Sequence, residues 1–296
     1  MYSNTIKFIL IFLFLFSPVT GAADFTVAVR AKNGIEYAIN KWQPTIDYLN
    51  KNIPAHRFTL LPVINLKEIT EEAIKGKYDF LLTNPASFVE IESLTDTKAI
   101  VTLQNLRSNH ALSEFGSVIF THIERVDILD LKDLRGKSIM GVSKRAFGGW
   151  YMAWLEMLEQ GINPHNELKV VFADSGIQSD VVYAVLDKRV DAGIVRTDQL
   201  ERMEQAGKID MRYFRVLNNK NVDKFPFLLS TDLYPEWPIA VMKHVPEDIA
   251  LEVKKVLLSI KSSDKAAISG KYSGWLEPLD YGKVKDLMVK LKLQNR

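Results

Sequence analysis

The sequence of 296 residues has no cysteine, and that absence removes several functions at once. Disulfide staples, thiol nucleophiles, thiolate metal sites and a lipid anchor on a processed N-terminal cysteine are all excluded. Small exported domains often need disulfides, but a chain of this length buries enough apolar surface to do without them. An excess of one charge is lacking too: Lys plus Arg number 38 and Asp plus Glu 36. Near-neutrality without a clustered basic run argues against a nucleic-acid partner. The five histidines, His56, His110, His122, His165 and His244, include no two that stand one helical turn apart. No metal and no cofactor is therefore expected. No Gly-x-Ser-x-Gly elbow or Walker loop occurs, and no pair of carboxylates stands out for acid/base work, so no catalytic residue is assigned and an enzyme is not expected.

Long hydrophobic runs are scarce as well. The nine residues 8–16 are unbroken apolar, preceded by Lys7 and followed by Ser17-Pro18-Val19-Thr20-Gly21-Ala22-Ala23. A membrane-spanning helix needs about 20 apolar residues, so this layout reads instead as a secretory signal peptide over residues 1–23, cleaved near Ala23. The mature chain is then expected to be soluble and periplasmic.

What is present is alternation. Short apolar runs interleave with helical patterns almost end to end, the signature of an α/β protein. Residues 25–29 read as a strand, and Ile35, Ile39, Trp42, Ile46 and Leu49 then fall at helical spacing, with Pro44 favoured as that helix's start. A strand over 58–63 precedes a helix over 66–75, which Asn65 and Glu68 can cap and Gly76 can end. A strand over 78–82 runs into Thr83-Asn84-Pro85, read as a strand-end loop. After a strand over 115–120, the charged stretch 123–125 reads as a crossing between lobes. A second series follows: strands over 138–142, 168–172 and 190–195, helices over 148–160 and 179–188. The stripe of Trp150, Ala153, Trp154, Met157 and Leu158 reads as core. Asp198 with Glu201 fits a helix cap, and 211–217 reads as a strand returning toward the first lobe. These readings divide the mature chain into lobe I, 24–121 with 222–296, and lobe II, 122–221.

Two features carry binding chemistry. Phe147-Gly148-Gly149 stands at the mouth of a helix, where glycines let backbone approach a ligand and the free amides of the first turn favour an anion. Arg196 directly follows an apolar strand, so its guanidinium should emerge at a strand's carboxyl end, where it can grip an oxyanion or pair with Asp198 or Glu201. From the first lobe Asn84 can offer a donor and an acceptor, and Ser230 and Thr231 can add hydroxyls, unless these residues serve only as turns and caps.

Four segments bear a family likeness: residues 79–85, 146–150, 190–197 and 230–238, in that order and at similar spacing. With them the sequence resembles the periplasmic phosphate, phosphite and phosphonate-binding protein family, and within it the branch containing the periplasmic sensor regions of tetrathionate-type histidine kinases. The resemblance implies a type II periplasmic binding fold: two α/β lobes, a two-strand hinge, and a ligand in the cleft between them. Phosphonate-binding members commonly carry hydroxyl residues where this sequence has Ala146-Phe147-Gly148-Gly149, which leaves the ligand open among phosphonate, phosphate and sulfur oxyanions. The function expected is a monomeric solute-binding protein that closes on a small anion and serves the membrane permease of an ABC transporter. The alternative is a periplasmic sensor that docks on a separate histidine kinase, since the sequence ends at Arg296 where such kinases continue into a membrane helix. An exported enzyme on the same scaffold ranks third.

Overall fold

The structure is a computed structural model that describes residues 23–293. The segment read as an export signal, apart from Ala23, lies outside the described residues. Two sheets dominate. The larger runs in the order Tyr272–Leu276, Lys98–Arg107, Pro238–Val241, Phe80–Leu82, Asp24–Arg30, Arg57–Val63, with His110–Leu112 folded back on Lys98–Arg107. The smaller runs Phe214–Leu217, Ser117–His122, Ala192–Arg196, Ser138–Gly141, Lys169–Phe172. In each sheet a group of parallel strands feeds helices from its carboxyl ends, and antiparallel strands complete the other side. Between the sheets Glu114–Phe115 pairs antiparallel with Tyr234–Pro235. The chain therefore leaves the larger sheet along one of these short strands and returns along the other.

That crossing falls one strand earlier than the expected boundary at residue 121. Ser117–His122 is buried along its whole length and lies between Phe214–Leu217 and Ala192–Arg196 in the smaller sheet. Phe214–Leu217, read as a return toward the first lobe, also belongs to the smaller sheet.

The first helix departs from expectation as well. It spans Ile35–Asn52 with Pro44 inside it, after a turn in which Gly34 holds φ 96°. A proline in a helix interior costs about 3 kcal/mol or more. Ala38, Trp42, Thr45, Ile46 and Leu49 bury one continuous face here, enough to carry the helix through. Asn65 caps Leu66–Ile74 as expected, accepting from the amides of Lys67 (2.9 Å) and Glu68 (3.4 Å). Asp198 does not cap its helix: it sits in the left-handed region at φ 74° and turns its carboxylate to arginines. Thr83-Asn84-Pro85 opens the helix Pro85–Leu94, which the sequence reading passed over together with the strand Lys98–Arg107.

Packing divides along the sheets and then rejoins. Phe25, Phe58 and Phe80 pack against one another within the larger sheet's core, which also holds Trp42 and Trp275. Phe120, Val181, Val185 and Phe214 fill the smaller sheet's far side. A third cluster joins Phe88 of the Pro85 helix, the Trp150–Met157 stripe and the C-terminal helix Gly282–Lys290 through Leu287 and Met288, so the stripe is core. Truncating the fully buried Phe80 to alanine removes a ring that touches two others. It is expected to lower stability by about 3–5 kcal/mol, read as a shifted denaturant midpoint.

Candidate functional site

A cleft opens where the carboxyl ends of both parallel strand groups meet, the position at which open α/β sheets bind ligands. From the larger sheet, Asp24–Arg30 delivers Arg30, Lys32 and Asn33 before the helix Ile35–Asn52 begins. From the smaller sheet, Ser138–Gly141 leads into Phe147-Gly148-Gly149, Lys169–Phe172 leads to Gly176 and Gln178, and Ala192–Arg196 ends on Arg196. The helices starting at Ile35 and Gln178 and the segment starting at Phe147 begin without a side-chain cap, so no capping side chain claims their first-turn amides.

The cleft has two adjoining chambers. An inner one of about 120 Å³ lies against Phe147, Gly148, Gly149 and Asn84. An outer one of about 270 Å³ lies against Lys41, Trp42, Asn105, Arg107, Arg202 and Lys271. Arg30, Lys32, Gly176, Gln178, Arg196 and Trp237 line both.

The backbone at the inner chamber is unusual. Phe147–Tyr151 forms a π-helical turn, with the Tyr151 amide reaching the Ala146 carbonyl at 3.1 Å, before regular helix resumes over Met152–Glu159. Such wide turns recur at functional sites. Glycine is required by packing too: a Cβ on Gly148 would stand 2.8 Å from the Phe115 ring, and one on Gly149 2.5 Å from Val142. Ser117 Oγ donates to the Gly148 carbonyl at 2.7 Å, fixing the turn to the strand Ser117–His122 of the smaller sheet.

Arg196 is in the cleft but not free. Both terminal nitrogens bond the carboxylate of Glu236, which is fully buried, and the guanidinium carbon lies 4.1 Å from the centre of the Phe115 ring. Its Nε is 3.8 Å from Asp198. Burial alone would raise the Glu236 pKa; the charge of Arg196, then Arg107 and the Asn105 amide at 2.7 Å, bring it below the usual carboxylate range. Asp198 in turn meets Arg202 at 2.8 Å and Arg107 at 3.4 Å.

Even so, positive charge is in excess. Seven cations line the outer chamber against the single carboxylate of Asp198, with Glu236 behind it. Lys41 is half-buried, and its pKa is depressed to about 7 by burial, then by Arg107 and Lys32. Lys32 is exposed to the cleft yet closely surrounded, and its pKa falls to about 8 through desolvation and the charges of Arg196, Arg107 and Arg202. Among the described residues neither lysine has a carboxylate within ion-pair distance.

Of the residues singled out from sequence, Phe147, Gly148, Gly149, Arg196 and Asn84 come together in one chamber. Asn84 also does the plainer work of capping: its Oδ1 accepts from the Ser87 amide at 3.1 Å and its Nδ2 donates to Ser87 Oγ at 3.2 Å. Ser230 and Thr231 are not among the lining residues and serve the sheet instead. Ser230 Oγ accepts from the Ile119 amide at 2.9 Å and donates to the Leu217 carbonyl at 2.7 Å; Thr231 Oγ1 accepts from the Ser117 amide at 3.0 Å and donates to the Asp232 carbonyl at 2.8 Å. Both are buried, their hydroxyls standing in for backbone groups along Ser117–His122. Arg30, Lys32, Lys41, Arg107, Gln178 and Glu236 went unread. The strand-end argument that found Arg196 would also have found Arg30 and Lys32. Among the described residues no cluster of three His, Asp or Glu has the arrangement of a metal site.

With this geometry in place, known proteins can be set beside it. A sequence profile described as "ABC transporter, phosphonate, periplasmic substrate-binding protein" matches residues 36–283. The tetrathionate sensor histidine kinase TtrS of Salmonella typhimurium is 30% identical over 240 residues, covering 80% of this chain and 40% of its own length. The chain thus spans less than half of that relative. Among solved structures, a Xanthomonas citri protein bound to ATP superposes with a TM-score of 0.72 at 15% identity, covering 92% of this chain and 99% of its own. PhnD1 from Prochlorococcus marinus in complex with methylphosphonate gives 0.70 at 14% identity, covering 91% and 98%. At such identities the likeness is one of fold, and the fold is the type II periplasmic binding fold. Taken with the profile match over most of its length, it follows that this chain belongs to the periplasmic substrate-binding protein family of phosphonate ABC transporters.

Proposed function

We propose that the protein, freed of its N-terminal segment near Ala23 on export, acts as a monomer that captures a small oxyanion between its two lobes and closes over it. The moving bodies are the larger sheet with its helices and the smaller sheet with its own, joined through Glu114–Phe115 and Tyr234–Pro235. A ligand that touches both favours the closed form by as much as its added contacts are worth. The observation that carries this reading is the excess of cations at a point where three helical segments start uncapped. No group in the cleft is needed as a catalyst for that role, so the ligand is returned unchanged. Delivery to a transporter permease is the leading use, as the profile's description supports. Docking on a separate histidine kinase is the second, supported by the 30% identity to a sensor kinase. Neighbouring genes for a permease and ATPase, or for a kinase and response regulator, distinguish the two.

Replacing Lys32 with alanine removes a cation lining both chambers and is expected to weaken oxyanion binding by about 1.5–3 kcal/mol, measured by calorimetry. Gly148→Val places side-chain atoms where Phe115 already stands. Scattering should then show no ligand-driven compaction, whereas the parent protein compacts. Protonation supplies a third check. The folded pKa values of Lys41 and Lys32 lie below their unfolded values, so the unfolded chain binds more protons between about pH 7 and pH 10 and the ligand-free protein gains stability as pH rises through that window. Anion affinity runs the opposite way and is lost from about pH 7 upward as the ammoniums discharge. Binding near neutral pH should therefore take up protons, seen as a dependence of the calorimetric heat on buffer ionisation.

A further inference from the structure

The stripe from Trp150 to Met157 packs as core, yet one of its residues is left incomplete. Trp154 is 9% exposed, and its indole N–H has no hydrogen-bond partner among the described residues. A buried tryptophan N–H usually finds an acceptor, so one without any calls for an explanation. Trp154 also lines a third cavity, of about 460 Å³, larger than either chamber of the cleft. This cavity shares Arg145 with the inner chamber and no lining residue with the outer one. Trp150, Val170 and Phe172 line it from the smaller-sheet half, Ala86 from the helix Pro85–Leu94, and Met288 from the C-terminal helix.

The lining is rich in rings, and its charges are already accounted for. Trp150 meets Phe172 edge-on at 5.2 Å between ring centres, and Trp154 meets His165 in the same way at 4.4 Å. Glu90 pairs with Arg145 and Lys144 is exposed to solvent, so no buried charge is left for a guest to neutralise. A cavity of this size, lined by aromatic and aliphatic side chains with few polar groups, has the make-up of a small-molecule site. Apolar cavities also accept aromatic rings readily, because little water is given up on entry. We propose that this cavity is a second binding site, for an uncharged planar aromatic compound with one carbonyl acceptor, its ring among Trp150, Trp154 and Phe172 and its carbonyl on the Trp154 N–H. The proposal goes beyond oxyanion capture: an oxyanion finds its cations in the cleft, whereas this ligand finds rings and a single donor.

Calorimetry of the full mature chain with 1-indanone and indane tests this, since the two bicyclic rings differ by the carbonyl alone. The ketone should bind about tenfold or more tighter than the hydrocarbon. Trp154→Phe keeps a ring and removes the N–H, so the ratio of the two affinities should fall toward unity. Val170→Trp, on the edge strand Lys169–Phe172, fills part of the cavity and should weaken both ligands about tenfold or more. Saturating sulfate should leave 1-indanone binding in place. Thermal melting verifies that each variant is folded. Three outcomes overturn the site and leave oxyanion capture standing: neither ring compound binds the parent protein, sulfate displaces 1-indanone, or Val170→Trp binds both rings as the parent does. A ketone preference that survives in Trp154→Phe also overturns the proposal, because the carbonyl is then read elsewhere.

Discussion

Everything in this molecule turns on crowding positive charge into a space that water only partly reaches. A buried carboxylate, Glu236, makes this tolerable by holding Arg196 from behind, and Asp198 does the same for Arg107 and Arg202. Removing one partner of such a buried pair typically costs about 3–5 kcal/mol, because the other charge is left without compensation. The two carboxylates therefore set how many cations the cleft can display. Those left over, chiefly Lys32 and Lys41, are held in a state that disfavours their own protonation. An anion held there would relieve that tension, which would tie recognition to electrostatics that the fold itself sets up.

Glu236 also links the cleft to the crossing between sheets. It follows directly on Tyr234–Pro235, its amide donates to the Ser113 carbonyl at 2.8 Å, and its own carbonyl accepts from the Tyr281 hydroxyl at 2.7 Å. One residue thus touches the arginine of the smaller sheet, the bend that leads into the crossing, and the start of the C-terminal helix. Reorganising the cleft without disturbing the hinge is not open to this architecture.

The fold class was legible because βα alternation is a local signal, written in periods of two and 3.6 residues. The strand before the Arg30 loop, the Asn65 cap and the Gly148 turn were all read from a few neighbouring residues. What was missed depends on distance in sequence. Lys98–Arg107 lacks clean alternation because it lies between Pro238–Val241 and Tyr272–Leu276, whose register shifts beside it, and nothing nearby in the sequence announces such partners. The crossing was misplaced for the same reason: that Ser117–His122 belongs with Ala192–Arg196 is a matter of pairing, which propensity does not encode. Ser230 and Thr231 show the limit at the site. Their hydroxyls looked available, and only the fold reveals that the amides of Ile119 and Ser117 had claimed them. Arg196 was placed correctly at a strand end, but its partner comes from forty residues further on.

The C-terminal helix Gly282–Lys290 lies against both halves of the molecule: Leu287 and Met288 share a core with Phe88 on one side and Trp154 on the other, and Lys290 pairs with Glu159 at 2.6 Å. Any swing of one half past the other must slide along this helix, rolling its apolar residues over the tryptophans at 150 and 154. The tail of the chain thereby becomes a mechanical gauge, and an observer stationed there, whether an engineered dye or a neighbouring protein, would feel the jaws move without ever looking into the mouth.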